Sequence, residues 1–100
     1  MASHAIQISG SKCVVELAGE IDMLAADTVE KWLCDAGRTP GVAAVVADLS
    51  GVEFLDSSGV RSLLRAKETL DLDGVSFSVA RPNAMVERIL RILGLYDMFL

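Results

Sequence analysis

Residues 45–70, VVADLSGVEFLDSSGVRSLLRAKETL, are the stretch that decides the fold. Its apolar start predicts a strand that ends near Asp48, Ser50–Glu53 predicts a short turn, and a helical pattern follows. The expected structure is a strand, a loop and a helix, with the hydroxyls of Ser57 and Ser58 at the helix start. Because a helix N-terminus presents unpaired N–H groups and a partial positive charge, hydroxyls there are well placed to carry or to meet a phosphate.

The strand and the helix of this stretch have distinct patterns. Val42–Leu49 is short, apolar and rich in β-branched residues without alternation, which predicts a central strand covered on both faces. The helix is predicted over Ser57–Leu72 and ends at Asp73-Gly74.

The rest of the chain extends this unit on both sides. An N-terminal hairpin, a helix that begins after Asp22 as its N-cap, and a later strand and helix are predicted. Their ranges are Ala5–Ile8 and Lys12–Ala18 for the hairpin, a first helix ending near Gly37, a strand over Val75–Ala80 and a helix over Asn83–Leu93. The order β-β-α-β-α-β-α predicts one α/β domain, with a mixed sheet of about four strands and helices packed on it. The apolar tail after Gly94 predicts either that a final C-terminal element is missing or that the tail packs back on the sheet.

Composition narrows the class of protein. One hundred residues, 52% of them hydrophobic, predict a single domain over residues 1–100 that needs no metal, disulfide or cofactor to hold its core. A net charge of −5 argues against nucleic-acid binding. The sequence has no secretory signal and no apolar run long enough to span a membrane, so we expect a cytoplasmic protein without a membrane partner. Cys13 and Cys34 are expected to be reduced and buried, with a redox switch as the alternative.

The segment Asp56-Ser57-Ser58-Gly59 is the first candidate site. A plain helix cap explains one polar residue there, but a cap uses only one of two hydroxyls. Glycine in the first turn costs about 1 kcal/mol relative to alanine, and it would let another protein's active site approach the serine. This combination favours a regulatory phosphoserine. A serine nucleophile is not supported, because there is no GxSxG motif and the only histidine is His4, expected at a solvated end.

Charged residues supply two further candidates. Glu20 and Asp22 are either a cap and a solvated residue, or partner contacts beside the serine loop. Arg61, Arg65 and Lys67 form either a solvated helix face or, at Arg61, a group that pairs with a phosphate on Ser58 or with a partner's carboxylate. The remaining arginines, Arg81, Arg88 and Arg91, are interpreted as surface charge.

Three motifs together resemble a known family. Gly19-Glu20-Ile21-Asp22, the apolar strand to Asp48-Leu49-Ser50, and Phe54-Leu55-Asp56-Ser57-Ser58-Gly59 are similar to the STAS domain of bacterial anti-sigma factor antagonists. The resemblance covers nearly the whole chain, although members commonly continue past the third helix. It implies a regulatory protein rather than an enzyme, with no cofactor and no metal.

The resemblance also implies a mechanism. An unphosphorylated antagonist binds an anti-sigma factor that is also a serine kinase, and the sigma factor is released. The kinase phosphorylates the serine before the glycine, here Ser58 with Ser57 as second choice; the modified protein dissociates, and a phosphatase restores it. The predicted partner-binding residues are Glu20, Asp22, Asp56, Ser57, Gly59, Val60 and Arg61.

Two other functions stay open from the sequence. One is an unphosphorylated STAS adaptor in a transport or signalling complex, in which the serine pair is only a cap. The other is an enzyme or nucleotide-binding domain, against which the absence of GxxxxGK[ST] and GxGxxG argues. The oligomeric state, including a homodimer, is also open.

Overall fold

The computed structural model describes residues 1–99 as four strands and four helices. The strands are β1 (Ser3–Ser9), β2 (Lys12–Ile21), β3 (Ala44–Leu55) and β4 (Ser76–Ala80). The helices are α1 (Ala26–Gly37), α2 (Ser57–Leu72), α3 (Ala84–Ile92) and α4 (Tyr96–Phe99). The predicted fold class and element order are confirmed, except that the short α4 was not predicted.

The four strands form one mixed sheet in the order β1-β2-β3-β4. β1 and β2 are an antiparallel hairpin that closes at the pair Ser9–Lys12. β2 pairs with β3 in parallel, and β3 pairs with β4 in parallel. Each parallel pair needs a long connection, and α1 and α2 provide it.

Two strands run further than the sequence indicated. Gly19–Ile21 belongs to β2, and the predicted turn at Ser50–Glu53 is a continuation of β3. The two strands stay paired because register shifts between Glu16 and Ala18 and between Gly19 and Glu20 absorb the irregular spacing. As a result, the last residues of both strands, Ile21 and Leu55, are directly paired.

The core lies mainly on one side of the sheet. Alternate strand residues are buried there, among them Cys13, Val15, Leu17, Val45, Ala47, Phe77 and Val79. The helices contribute buried residues to the same core, among them Leu33 of α1 and Leu63 and Leu70 of α2. On the other side, the cross-strand row Val14–Val46–Ser78 is only half-buried. The prediction that the central strand is covered on both faces is therefore wrong. Cys13 and Cys34 are free and buried, and burial raises the pKa of both thiols.

Aromatic contacts fix both ends of the described chain. His4 is exposed, as predicted, and it lies in β1 and stacks on Trp32 of α1 with ring centroids 4.0 Å apart. Phe99 is fully buried and meets the ring of Phe77 in β4 edge-on at 6.1 Å. The tail thus packs back on the sheet. Within residues 1–99, no helix is both long enough and apolar enough to cross a bilayer.

Arg81 is part of an ion pair rather than loose surface charge, which corrects the sequence interpretation. Its guanidinium donates two hydrogen bonds to Asp48 Oδ2, one of them from Nε at 2.9 Å. The Asp48 side chain is 4% exposed, and its other oxygen accepts from the Ser50 N–H at 2.9 Å. Burial raises the pKa of Asp48, but the hydrogen bonds from Arg81 and Ser50 outweigh it and hold the pKa below its usual value.

Replacing Arg81 with glutamine is expected to lower the free energy of unfolding at pH 7, because the buried carboxylate of Asp48 loses its cation. Loss of a partner from a fully buried pair costs about 3–5 kcal/mol, and the value is smaller here because Arg81 is 69% exposed. Because the pKa of Asp48 is lower in the folded state, its ionised carboxylate stabilises the fold at pH values above the pKa of an unfolded aspartate, about 3.9. This contribution is lost as the pH falls through the pKa of the folded state. Urea unfolding at pH 7 and pH 3 should therefore show a difference that shrinks in acid.

The matched control for the Arg81→Gln experiment is Arg88→Gln. Arg88 is an exposed arginine of α3 that forms no ion pair within residues 1–99. Its replacement should leave stability unchanged at both pH values. An Arg81 effect of equal size at pH 7 and pH 3 would contradict the role assigned to Asp48.

Candidate functional site

The loops after β2 and β3 leave the sheet at the same edge. Ile21 and Leu55 end the two parallel strands and lie side by side. The backbone N–H of Asp56 points to the carbonyl oxygen of Ile21 at 3.5 Å. The loop that begins at Asp22 and the start of α2 are thereby joined at one edge, which agrees with the second of the two interpretations of the acidic segment.

Gly59 fixes α2 against the end of β2. It is buried, and a Cβ atom at this position would overlap with the backbone carbonyl oxygen of Ile21 and crowd the Leu55 side chain. The sequence interpretation, that this glycine clears space for another protein's active site, is therefore corrected. Position 59 requires a residue without a Cβ atom, because the first turn of α2 lies directly on the end of β2.

Asp56 is the N-cap of α2 and leaves both serines free. Its Oδ1 accepts a hydrogen bond from the Gly59 N–H at 2.9 Å, and its carbonyl accepts from the Val60 N–H at 3.0 Å. Within residues 1–99, the Ser57 and Ser58 hydroxyls make no hydrogen bond. Ser57 is exposed and Ser58 is half-buried. The cap therefore accounts for neither hydroxyl.

Asp22 shapes the neighbouring loop instead of capping α1. Its Oδ1 accepts from the N–H groups of Leu24 and Ala25, both at 3.1 Å. Its carbonyl accepts from the Ala26 N–H at 2.9 Å, and α1 begins only at Ala26, with no side-chain cap. The expected N-cap role is thus replaced by an Asx turn that precedes the helix.

This turn carries apolar side chains into solvent. Met23 is 75% exposed and Leu24 is 88% exposed, while Phe54 at the end of β3 is 46% exposed. We call Met23, Leu24 and Phe54 the apolar rim. Sequence patterns did not single out these three residues as exposed. The signal that could have found the apolar rim is a Met-Leu pair directly after a turn-forming aspartate.

Glu20 and Asp22 line a groove of about 550 Å³ together with Leu24 and Trp32. The Glu20 carboxylate accepts from the Met1 ammonium at 2.6 Å, a solvent-exposed pair of small energetic weight. The two acidic residues are therefore accessible and adjoin the apolar rim.

Ser58 lines a different groove, between α1 and α2. This groove measures about 200 Å³ and is bordered by Arg61 and Arg65 of α2 and by Asp27 and Glu30 of α1. The acidic wall beside Ser58 thus comes from Asp27 and Glu30, which the sequence did not single out. Lys67, grouped with the arginines in the sequence, pairs instead with Asp71 at 3.1 Å.

Five of the seven predicted partner-binding residues are accessible at this edge. They are Glu20, Asp22, Asp56, Ser57 and Arg61. Gly59 is buried and Val60 is 4% exposed, so their side-chain positions belong to the core rather than to a contact surface. The accessible set joins acidic, hydroxyl and basic groups to the apolar rim.

A family model described as the STAS domain matches residues 3–100. The chain belongs to the STAS domain family. This STAS domain is 31% identical over 86 residues to the anti-sigma-F factor antagonist RsfB of Mycobacterium tuberculosis, a match that covers 86% of the chain and 69% of RsfB.

Solved structures agree with this assignment. An anti-sigma factor antagonist from Mycobacterium paratuberculosis superposes with a TM-score of 0.85 at 29% identity, over 99% of the STAS domain and 83% of that chain. The unphosphorylated form of the antagonist SpoIIAA superposes with a TM-score of 0.78 over 95% of the domain and 84% of that chain. The phosphorylated form of SpoIIAA from Bacillus superposes with a TM-score of 0.67, over 95% of the domain and 86% of that chain. At 21% identity, SpoIIAA supports the fold alone.

Proposed function

We propose that this STAS domain is an anti-sigma factor antagonist that binds its anti-sigma factor at the edge formed by the ends of β2 and β3. The observation that carries the proposal is the apolar rim, which places Met23, Leu24 and Phe54 in solvent around a helix start with two free hydroxyls. Exposed apolar groups bordered by polar residues are typical of protein interaction sites. The relatives RsfB and the paratuberculosis protein carry the name antagonist, which supports this choice of partner.

The proposed contact surface has a centre and a border. The three side chains that we call the apolar rim, Met23, Leu24 and Phe54, form its centre and lose contact with water when a partner binds. Its border is formed by the accessible polar residues, with the carboxylates of Glu20 and Asp22 on one side and Arg61 on the other. Such a border favours a partner with complementary charges and discriminates against other proteins.

Phosphorylation of Ser58 is the proposed switch. Ser58 is half-buried beside the rim, and its hydroxyl is not used by the helix cap. A phosphate adds about −1.5 to −2 charges at pH 7, and its desolvation in a closed interface is costly. The start of α2 tolerates the charge within the domain because the helix dipole is positive there. The modified protein therefore stays folded while the complex is lost.

The proposed partner is an anti-sigma factor with serine kinase activity, and a phosphatase reverses the modification. Binding of the antagonist releases the sigma factor. In this scheme the domain supplies a substrate serine and a binding surface, and the partner supplies the catalysis.

Incubation with the cognate anti-sigma factor and ATP should place a single phosphate on Ser58, as read by mass spectrometry of the digested protein. The Ser58→Ala variant should acquire none. The matched control is Ser57→Ala, which removes the neighbouring exposed hydroxyl and should leave phosphorylation intact. Binding of the anti-sigma factor without any phosphate on Ser58 would favour the unphosphorylated adaptor instead.

A further inference from the structure

We propose that Arg61 and Arg65 bind the phosphate of Ser58 inside the groove between α1 and α2, so that modification also withdraws Arg61 from the contact surface. The inference rests on the proposed phosphorylation of Ser58. It assigns a role to Arg61 and Arg65 when Ser58 is phosphorylated.

The spacing along α2 brings the three side chains together. Arg61 and Arg65 follow Ser58 by three and seven residues, and positions with this spacing share one face of a helix. Long helical side chains point back toward the helix N-terminus, which is the direction of Ser58 from both arginines. All three residues line the same groove of about 200 Å³. Since one water takes up about 30 Å³ in the liquid, a phosphate group fits this space.

The two arginines are available for a new anion. Within residues 1–99, neither Arg61 nor Arg65 has a carboxylate oxygen within ion-pair distance, although other surface cations do. On the same helix, Lys67 is 3.1 Å from Asp71. A guanidinium presents paired N–H donors that match phosphate oxygens and stays charged at any relevant pH. Two such groups together therefore form a phosphate clamp.

The opposite wall of the groove explains why a clamp is needed. Asp27 and Glu30 face the groove from α1, and Asp56 caps α2 just before the serines. These carboxylates repel a dianion on Ser58. Farther along the α1–α2 interface lie Lys31 and Arg38, of which Lys31 is already 2.7 Å from Asp35. Arg61 and Arg65 are thus the cations that share a groove with Ser58.

The clamp gives the switch a second effect. In the unmodified protein Arg61 is exposed and free to meet a carboxylate of the partner. In the modified protein the same guanidinium is held by the phosphate. Modification therefore adds negative charge at the surface and removes a positive contact from it.

The test uses protein that carries phosphoserine at position 58 from translation, so it does not depend on any kinase. A phosphorus-31 NMR titration reads the second ionisation of the phosphate, which occurs near pH ~6 for an unperturbed phosphoserine. We expect the midpoint of this ionisation at a lower pH than in an unperturbed phosphoserine, because the two adjacent arginines favour the dianion. Arg61→Gln and Arg65→Gln should each raise the midpoint, and the double variant should raise it by about one pH unit.

Two further variants test the geometry. Glu30→Gln removes an opposing carboxylate of the groove and should lower the midpoint. Arg88→Gln removes an exposed arginine of α3 and should leave it unchanged. A midpoint that does not respond to Arg61→Gln and Arg65→Gln overturns the clamp. That result would leave phosphorylation by the kinase, measured separately by mass spectrometry, unaffected as a proposal.

Discussion

Replacing Leu24 with alanine is expected to weaken binding of the anti-sigma factor by about 30-fold, with little change in the stability of the free domain. Leu24 is the most exposed residue of the apolar rim, at 88%, so a partner that covers it gains most of the transfer free energy of the side chain. Full burial of a leucine is worth about 1.5–3 kcal/mol, and about 2 kcal/mol corresponds to 30-fold in the dissociation constant. Isothermal titration of the two proteins measures the loss directly.

Leu72→Ala is the matched control for this experiment. Leu72 is 85% exposed, but it ends α2, whereas the serines begin that helix. Sixteen helical residues span about 24 Å, which places Leu72 well away from the proposed contact surface. Equal affinity losses for Leu24→Ala and Leu72→Ala would mean that the partner does not bind at the apolar rim.

Replacing Gly59 with alanine is expected to lower the free energy of unfolding by about 2 kcal/mol. The added Cβ meets a backbone carbonyl, that of Ile21, which cannot rotate away as a side chain does. Alanine's better helix propensity, worth about 1 kcal/mol, offsets only part of this cost. Thermal unfolding should show a midpoint lower by roughly 10 °C for a domain of this size.

The same substitution should also disturb the site. To relieve the overlap, the start of α2 must move away from the end of β2, and the serines move with it relative to the loop of Asp22. Ser57→Ala changes the same helical turn at an exposed position and should leave the unfolding midpoint unchanged. A Gly59→Ala variant as stable as the parent would show that α2 is not held against β2 by this contact.

Local patterns in the sequence were enough for most of the fold. The range Ser57–Leu72 for α2 is confirmed to the residue, because a strong cap and a regular apolar face mark it. The ends of β2 and β3 were not predicted, since Ser50–Glu53 has the composition of a turn and is extended in the structure through its pairing with β2. Pairing between distant strands is tertiary information that a local window does not contain.

The sequence predicts the local part of the candidate site, but not the contacts between distant segments that hold it in place. Asp56 as the cap of α2 follows from residue type alone, and the structure confirms it. Gly59 was assigned to access because the carbonyl of Ile21, 38 positions earlier in the chain, cannot be inferred from neighbouring residues. Arg81 was assigned to the surface for the same reason, since its partner Asp48 lies on β3, 33 positions earlier in the chain.

The architecture supports the proposed switch without a rearrangement of the fold. Paired strand ends, the glycine contact and the aspartate cap hold the apolar rim and the serines in fixed positions. A modification there changes charge at the surface without requiring any element of the core to move. In the proposed mechanism the partner senses the phosphate directly, and no rearrangement has to be transmitted through the domain.

The central claim is that one phosphate on Ser58 decides whether the anti-sigma factor binds. Isothermal titration should compare the unmodified domain, the domain with phosphoserine at position 58, and a control with phosphoserine at Ser76, which is exposed at the opposite end of the sheet. We predict at least about 30-fold weaker binding for phosphoserine 58 alone, because a dianion in a closed interface costs 2 kcal/mol or more. Equal affinities for all three proteins would contradict the account.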